Sequence, residues 1–203
     1  PIIIKRINLS LIKENFIKDI IVFGLPFLPA GIFTMMMELS NRYILEWLNG
    51  THAVGLFSAG YKLGIFGLII VMGFNMGWTP YFLKRIKETG AKQEFSHIAS
   101  LFLGVLGFIV VMISIWLPEI MRLKIGSNYL IGDSFWSADK VVSIVLISYF
   151  FFGTYVIQLP GVYAKEITVW IPIFRAIGAI SNISLNIILI PKYGVLGSAW
   201  ATT

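Results

Sequence analysis

The polar residues best able to bind a ligand lie inside long apolar stretches of this chain. Arg175, Asn182 and Asn186 are spaced seven and four residues apart. At about 100° per residue of an α-helix, this spacing places the three side chains within roughly 40° of one another. Such a stripe could line a cavity, where the guanidinium would bind an anion and the amides would bind hydroxyl groups. The alternative is that the asparagines bond neighbouring helices and that Arg175 extends towards water.

Three more polar residues interrupt apolar runs and are candidates for the same cavity. Lys62 would lie roughly 13 Å inside a helix that starts at Ala53, a depth at which a lysine needs an anion or water. It could instead extend to the surface, or the helix could start nearer Tyr61. Asn75 and Gln158 could supply neutral amides suited to sugar hydroxyls.

A second group of residues could control access to such a cavity. Glu38 and Arg42 have the four-residue spacing of a helical ion pair, and the alternative is that they form a mobile outer gate. Pro26 and Pro29 lie in the same apolar stretch and are expected to bend its helix, because proline removes a backbone donor.

Patterns of enzyme and metal sites are missing from the sequence. There is no paired-carboxylate cluster, no nucleophile elbow and no phosphate-binding loop. The chain contains no cysteine, and His52 and His97 have no neighbouring ligand pattern. We therefore expect no catalytic activity, no metal site and no cofactor.

Composition favours a membrane as the environment of these residues. The 203 residues are 57% hydrophobic and 13% charged, and the mean hydropathy is +0.84; soluble domains carry about 25% charged residues. The net charge of +6 is spread between apolar runs. Nucleic-acid binding would require the basic residues to cluster on one solvated face, so this distribution argues against it.

The apolar runs predict an all-α, polytopic transmembrane helix bundle. Crossing about 30 Å of hydrocarbon takes roughly 20 apolar residues. Five complete spans and the start of a sixth are predicted, at about 20–39, 53–82, 99–117, 141–164, 168–190 and 194–203. Residues 1–19 would form an amphipathic helix on the cytoplasmic membrane surface or a linker helix packed on the bundle.

The distribution of Lys and Arg predicts how the bundle is oriented. Nine of these residues fall on the side of the amino terminus, in 1–19, in the loop after the second span and at Lys165. Five fall on the other side: Arg42, Arg122, Lys124, Lys140 and Lys192. Because short cytoplasmic loops are enriched in Lys and Arg, the amino terminus is expected in the cytoplasm of a cell whose inner membrane the chain crosses several times.

Four sequence blocks carry a resemblance to a known family. They read GLPFLPAGIF, NRYILEWLNGTHAVGLFSAGYKLG, WTPYFLK and NISLNIILIPKYGVLGSAWATT. In order and spacing they resemble the polysaccharide-exporter branch, which includes the O-antigen and repeat-unit flippases, of the multidrug/oligosaccharidyl-lipid/polysaccharide exporter superfamily. The likeness covers nearly the whole chain and is poor over 119–140. Asn41 departs from the pattern, since this branch commonly has an acidic residue before the Arg-Tyr.

The resemblance implies a fold of two six-helix lobes around a central cavity. The chain would be the second lobe, and its partners would include a missing N-terminal lobe of the same protein. The implied function is to move a polyprenyl-diphosphate-linked oligosaccharide across the cytoplasmic membrane for surface polysaccharide synthesis, with Arg175 and Lys62 holding the diphosphate. Membrane lipids, a polysaccharide polymerase and glycosyltransferases would be further partners.

Two other functions remain open from the sequence. A cation-coupled multidrug exporter of the same superfamily should place an acidic residue in the cavity, and Glu38 is available. A membrane-embedded glycosyl or lipid transferase would need acidic or histidine groups at the interface. Glu119, Asp133 and Asp139 share one outer loop but show no recognisable spacing.

Overall fold

A computed structural model describes residues 18, 21–22, 24–125, 128–164 and 170–203. The predicted surface helix over 1–19 lies outside the described residues except for Lys18, and so does Lys165.

The first long helical stretch is two helices joined at a glycine. Helix runs from Phe27 to Arg85, 59 residues, but Gly50 has φ 80° and ψ 174° and is not helical. A straight helix of that length would measure about 88 Å, far more than a membrane is thick. Gly50 therefore separates α1 (27–49) from α2 (51–85), because glycine adopts positive φ without a steric penalty.

Four more helices follow in the described part of the chain. These are α3 (Ala91–Met121), α4 (Asp139–Ala164), α5 (Trp170–Tyr193) and α6 (Val195–Thr202). The loop between α3 and α4 holds a two-residue antiparallel pair, β1 (Lys124–Ile125) with β2 (Asn128–Tyr129), and a 3-10 helix over Asp133–Ala138. Four helical stretches of the described chain are long and apolar enough to cross a membrane: Phe27–Arg85, Ala91–Met121, Asp133–Val162 and Trp170–Tyr193. The predicted all-α polytopic membrane bundle is confirmed.

Helix α1 extends beyond the end of the predicted first span. The prediction ended this span near Leu39, whereas α1 continues to residue 49. Asn41, part of what looked like a polar loop, is only 3% exposed and faces the bundle, whereas Trp47 on the opposite side is 80% exposed. Hydropathy alone cannot distinguish a buried polar stripe from a loop, since both lower the average.

The ends of α1 and α5 also differ from expectation. A turn at Leu25 and Pro26 precedes α1, so Pro29 lies in the first helical turn, where proline removes no intrahelical hydrogen bond. Residues 21, 22 and 24 are helical too, so the turn at Leu25 and Pro26 interrupts the helix where the two prolines were expected to bend it. At the other end of the chain α5 continues through Pro191 to Tyr193, and Gly194, with φ 56°, begins the turn into α6.

A seam of glycines brings α2 against α4. A Cβ atom built on Gly60 would lie 2.6 Å from Cγ1 of Val141, and one on Gly64 would lie 2.5 Å from Cγ1 of Val145. The two helices can approach this closely only because those positions lack side chains. The seam fixes α4 relative to α2, and α2 and α4 then form one wall of the cavity described next.

Candidate functional site

Two adjoining cavities lie on the side of the bundle where α1, α4, α5 and α6 meet. The first has a volume of about 290 Å³. Its polar lining includes the charged residues Glu38, Arg42 and Arg175 together with Asn41, Tyr61 and Tyr149. The second has a volume of about 550 Å³ and extends along α4 and α5 past Tyr155 and Phe174. Five residues line both cavities: Met37, Phe152, Arg175, Asn182 and Thr202.

Arg175 stands at the junction of the two cavities. It is half-buried, and its guanidinium carbon lies 5.3 Å from the centre of the Tyr155 ring. Within the described part of the chain it makes no ion pair, since the ion pairs found there belong to Arg85. A guanidinium held against an aromatic ring keeps its charge and its donors available. Arg175 is therefore placed to bind an anionic group in either cavity.

Behind the cavities, buried amides join α1, α5 and α6. Nδ2 of Asn186 donates to Oδ1 of Asn41 at 2.6 Å, and Nδ2 of Asn41 donates to the Thr202 hydroxyl at 3.0 Å. Nδ2 of Asn182 donates to the carbonyl oxygen of Ala201 at 2.8 Å. Asn186 is 0% exposed and does not line either cavity. The predicted stripe thus divides: Arg175 and Asn182 reach the cavities, whereas Asn186 bonds neighbouring helices.

The expected ion pair between Glu38 and Arg42 is not formed. No ion pair involves either residue among those described, and both side chains are exposed and line the first cavity. An exposed ion pair at this spacing contributes only about 0.3–0.5 kcal/mol to stability, so its formation is favoured only weakly. The carboxylate and the guanidinium are each available to a ligand.

The structure does not bring Lys62 to Arg175. Lys62 is exposed on α2 and lies outside both cavities, although the preceding residue, Tyr61, lines the first one. The side chain of Lys62 points about 100° round α2 from that of Tyr61, towards the surface and away from the cavity. The paired Arg175–Lys62 arrangement expected for a diphosphate is absent.

The two predicted amides occupy different environments. Asn75 is half-buried and accepts a hydrogen bond from the Thr79 hydroxyl at 2.9 Å, outside both cavities. Gln158 lines a third cavity of about 270 Å³. Tyr155 and Phe174 line this third cavity and the second one, so Gln158 lies on the continuation of the same surface.

Sequence reasoning missed the two tyrosines of the first cavity. The rings of Tyr61 and Tyr149 meet edge to face, with centroids 6.3 Å apart. An aromatic residue inside an apolar run is usually a packing residue, so nothing in the sequence singled them out. The spacing of α2 and α4 along the glycine seam brings them together.

Comparison with known proteins gives one informative match. Over 200 residues the chain is 22% identical to the multidrug export protein MepA of Staphylococcus aureus (strain bovine RF122 / ET3-1), a match that covers 94% of this chain and 42% of MepA. The chain thus spans less than half of the length of that relative. No protein-family model matches the chain, and no solved structure matches it. The bundle defines a multi-pass membrane protein, and the match relates it to an exporter without singling out a polysaccharide branch.

Proposed function

We propose that this chain is part of a membrane exporter. The similarity to MepA over nearly the whole chain is the observation that carries this proposal. The cavities support it, since export requires no covalent chemistry. It requires a polar groove that lowers the cost of carrying a polar group through hydrocarbon, together with alternating access from the two sides.

Multidrug export is the first candidate, because it is what the relative is named for. The geometry offers a matching group in Glu38, whose exposed carboxylate lines the first cavity beside Tyr61 and Tyr149. A carboxylate flanked by aromatic rings is suited to an amphipathic organic cation or to a coupling cation.

Flipping of a polyprenyl-diphosphate-linked oligosaccharide is the second candidate. The observation that favours it is the excess of positive charge in the first cavity, where Arg42 and Arg175 face a single carboxylate, Glu38. Guanidinium groups bind phosphate oxygens in a bidentate manner. In this case Arg175 and Arg42 would hold the diphosphate, the role that the sequence assigned to Arg175 and Lys62. A polysaccharide polymerase and glycosyltransferases would be functional partners.

Deletion of the gene that encodes this chain tests the class and separates the candidates. New sensitivity to cationic drugs, with unchanged surface glycan, is the outcome expected of a drug exporter. Accumulation of lipid-linked oligosaccharide on the cytoplasmic leaflet, with loss of surface polysaccharide, is expected of a flippase. A deletion strain with neither phenotype, and with unchanged efflux in membrane vesicles, would contradict the exporter proposal.

Point variants then assign the charge of the substrate. If the first candidate holds, Glu38→Gln should abolish drug resistance and leave the surface glycan unchanged. Arg175→Gln should reduce glycan export about 10- to 100-fold if the second holds, because a hydrogen bond to a charged group contributes about 1.5–3 kcal/mol. Arg122→Gln is the matched control, since that guanidinium lies 5.4 Å from the Trp136 ring but lines none of the cavities described above.

A further inference from the structure

A separate groove lies where α2 meets α3, away from the cavities just described. Its volume is about 260 Å³. It is lined by four residues of α2 and one of α3: Phe74, Gly77, Trp78, Tyr81 and Ile98. None of these residues lines the cavities that hold Arg175, so the groove is a distinct feature of the surface.

The sequence of α2 explains the shape of the groove. Its lining positions are three, four and seven residues apart, which places them on one face of the helix. Gly77 leaves space, since a Cβ atom built there would meet nothing within 4 Å. Trp78 is held firmly, with its ring centroid 5.6 Å from that of Phe74 and 5.3 Å from that of Phe95. The wall of the groove is therefore formed by aromatic rings that pack against one another.

The groove ends beside two lysines that have no acidic partner. Lys84 is seven residues after Gly77, on the same face and about 10 Å further along α2, and Lys87 follows in the turn. Neither makes an ion pair within the described chain. The acidic side chains nearby are taken by Arg85, which contacts Glu94 at 2.6 Å and Glu88 at 3.5 Å.

We propose that this groove binds one acyl chain of an anionic phospholipid, whose phosphate lies at Lys84 and Lys87. The ligand must be apolar along the groove and negatively charged at its end, which is the chemistry of an anionic lipid at a membrane interface. The adjoining surface suits a hydrocarbon environment, since Met76 is 79% exposed and Leu83 is 50% exposed. The site is independent of the substrate of the cavities.

Brominated lipids test the site through the fluorescence of Trp78. The full-length protein is reconstituted in phosphatidylcholine bilayers that contain a small fraction of lipid brominated on the acyl chains, either phosphatidylglycerol or phosphatidylcholine. The fluorescence that is lost in the variant Trp78→Phe is the contribution of Trp78, so subtraction separates it from that of the other tryptophans. We expect brominated phosphatidylglycerol to quench the fluorescence of Trp78 at a concentration about fivefold or more below that of brominated phosphatidylcholine. The reason is that one basic residue near the membrane surface favours binding of anionic lipid by about that factor. The variant Lys84→Gln/Lys87→Gln should remove the preference.

A pair of glycine variants keeps the test independent of Trp78→Phe. Gly77→Leu fills the groove and should abolish the selective quenching, whereas Gly73→Leu, one turn earlier and also without neighbours within 4 Å, should preserve it. Equal quenching by the two lipids would overturn the proposal, because it indicates contact with bulk lipid. Absence of quenching of Trp78 would also overturn it, since another part of the protein would then cover the groove.

Discussion

Two helix contacts in this bundle are made from opposite kinds of residue. Where α2 meets α4, the positions of Gly60 and Gly64 lie against the apolar side chains of Val141 and Val145. Where α1 meets α5, two buried side-chain amides form a hydrogen bond, in which Nδ2 of Asn186 donates to Oδ1 of Asn41. The contact between α2 and α4 depends on the fit of apolar side chains against glycines, whereas the contact between α1 and α5 depends on hydrogen bonds.

The difference shows where the bundle can accommodate a ligand. A glycine seam has one close-packed solution, since a shift of either helix drives side chains into backbone. The amide junction borders the cavities directly, because Asn182 belongs to it and lines both of them. Amides can exchange partners with water or a substrate. We infer that α2 and α4 form the rigid frame and that α1, α5 and α6 form the adaptable wall.

The largest effect is expected from filling the seam. Gly64→Ala places a methyl group at 2.5 Å from Cγ1 of Val145, which is completely buried. Overpacking of this kind costs about 1–3 kcal/mol, so the thermal unfolding midpoint of the purified protein should fall sharply. Val145→Ala in the same chain should recover part of the loss, because it removes the atom that is struck.

Gly73→Ala is the control for the seam. A Cβ atom at Gly73 meets nothing within 4 Å, so this variant should be as stable as the parent protein or slightly more stable, because alanine favours helix. Equal stability of Gly64→Ala and Gly73→Ala would show that the seam is not a rigid contact.

An intermediate effect is expected from the amide junction. Asn186→Ala leaves Oδ1 of Asn41 buried without its donor, and such a group costs about 1–3 kcal/mol, less where membrane helices find other partners. Asn41→Ala/Asn186→Ala should cost less than the two single variants together, with a coupling of about 0.5–1.5 kcal/mol in unfolding free energy. Asn75→Ala is the control, because its bond to Thr79 is within one helix. If the losses of the two single variants added up strictly in the double variant, the interaction between Asn41 and Asn186 would be contradicted.

The sequence predicted the elements of this bundle better than their ends. Hydropathy over about 20 residues found each spanning segment, because bilayer thickness fixes its length. It placed the end of α1 too early, since Asn41 reads as a loop residue unless Thr202 is known to face it. That partner depends on α6, which is positioned by the positive φ of Gly194 and by Gly197, where a Cβ atom would lie 2.4 Å from the carbonyl oxygen of Leu189.

The candidate site was predicted in part for a similar reason. Periodicity within α5 placed Arg175 and Asn182 on one face, and both line the cavities. It could not determine the rotation of α2, so Lys62 was assigned to the cavity that Tyr61 lines. Spacing within a helix can be read from the sequence, whereas the face turned towards other helices depends on contacts such as the glycine seam.

The smallest effect should come from Ser40, at the edge of the junction. Its hydroxyl lies 3.1 Å from the carbonyl oxygen of Met37 and 3.2 Å from Oδ1 of Asn182, and one proton cannot serve both acceptors fully. Ser40→Ala leaves Oδ1 of Asn182 with its contact to Nδ2 of Asn186 at 3.2 Å. We therefore expect the unfolding free energy to change by less than about 0.5 kcal/mol. A loss as large as that of Asn186→Ala would mean that the junction extends through Ser40 and that α1 is held as rigidly as α4.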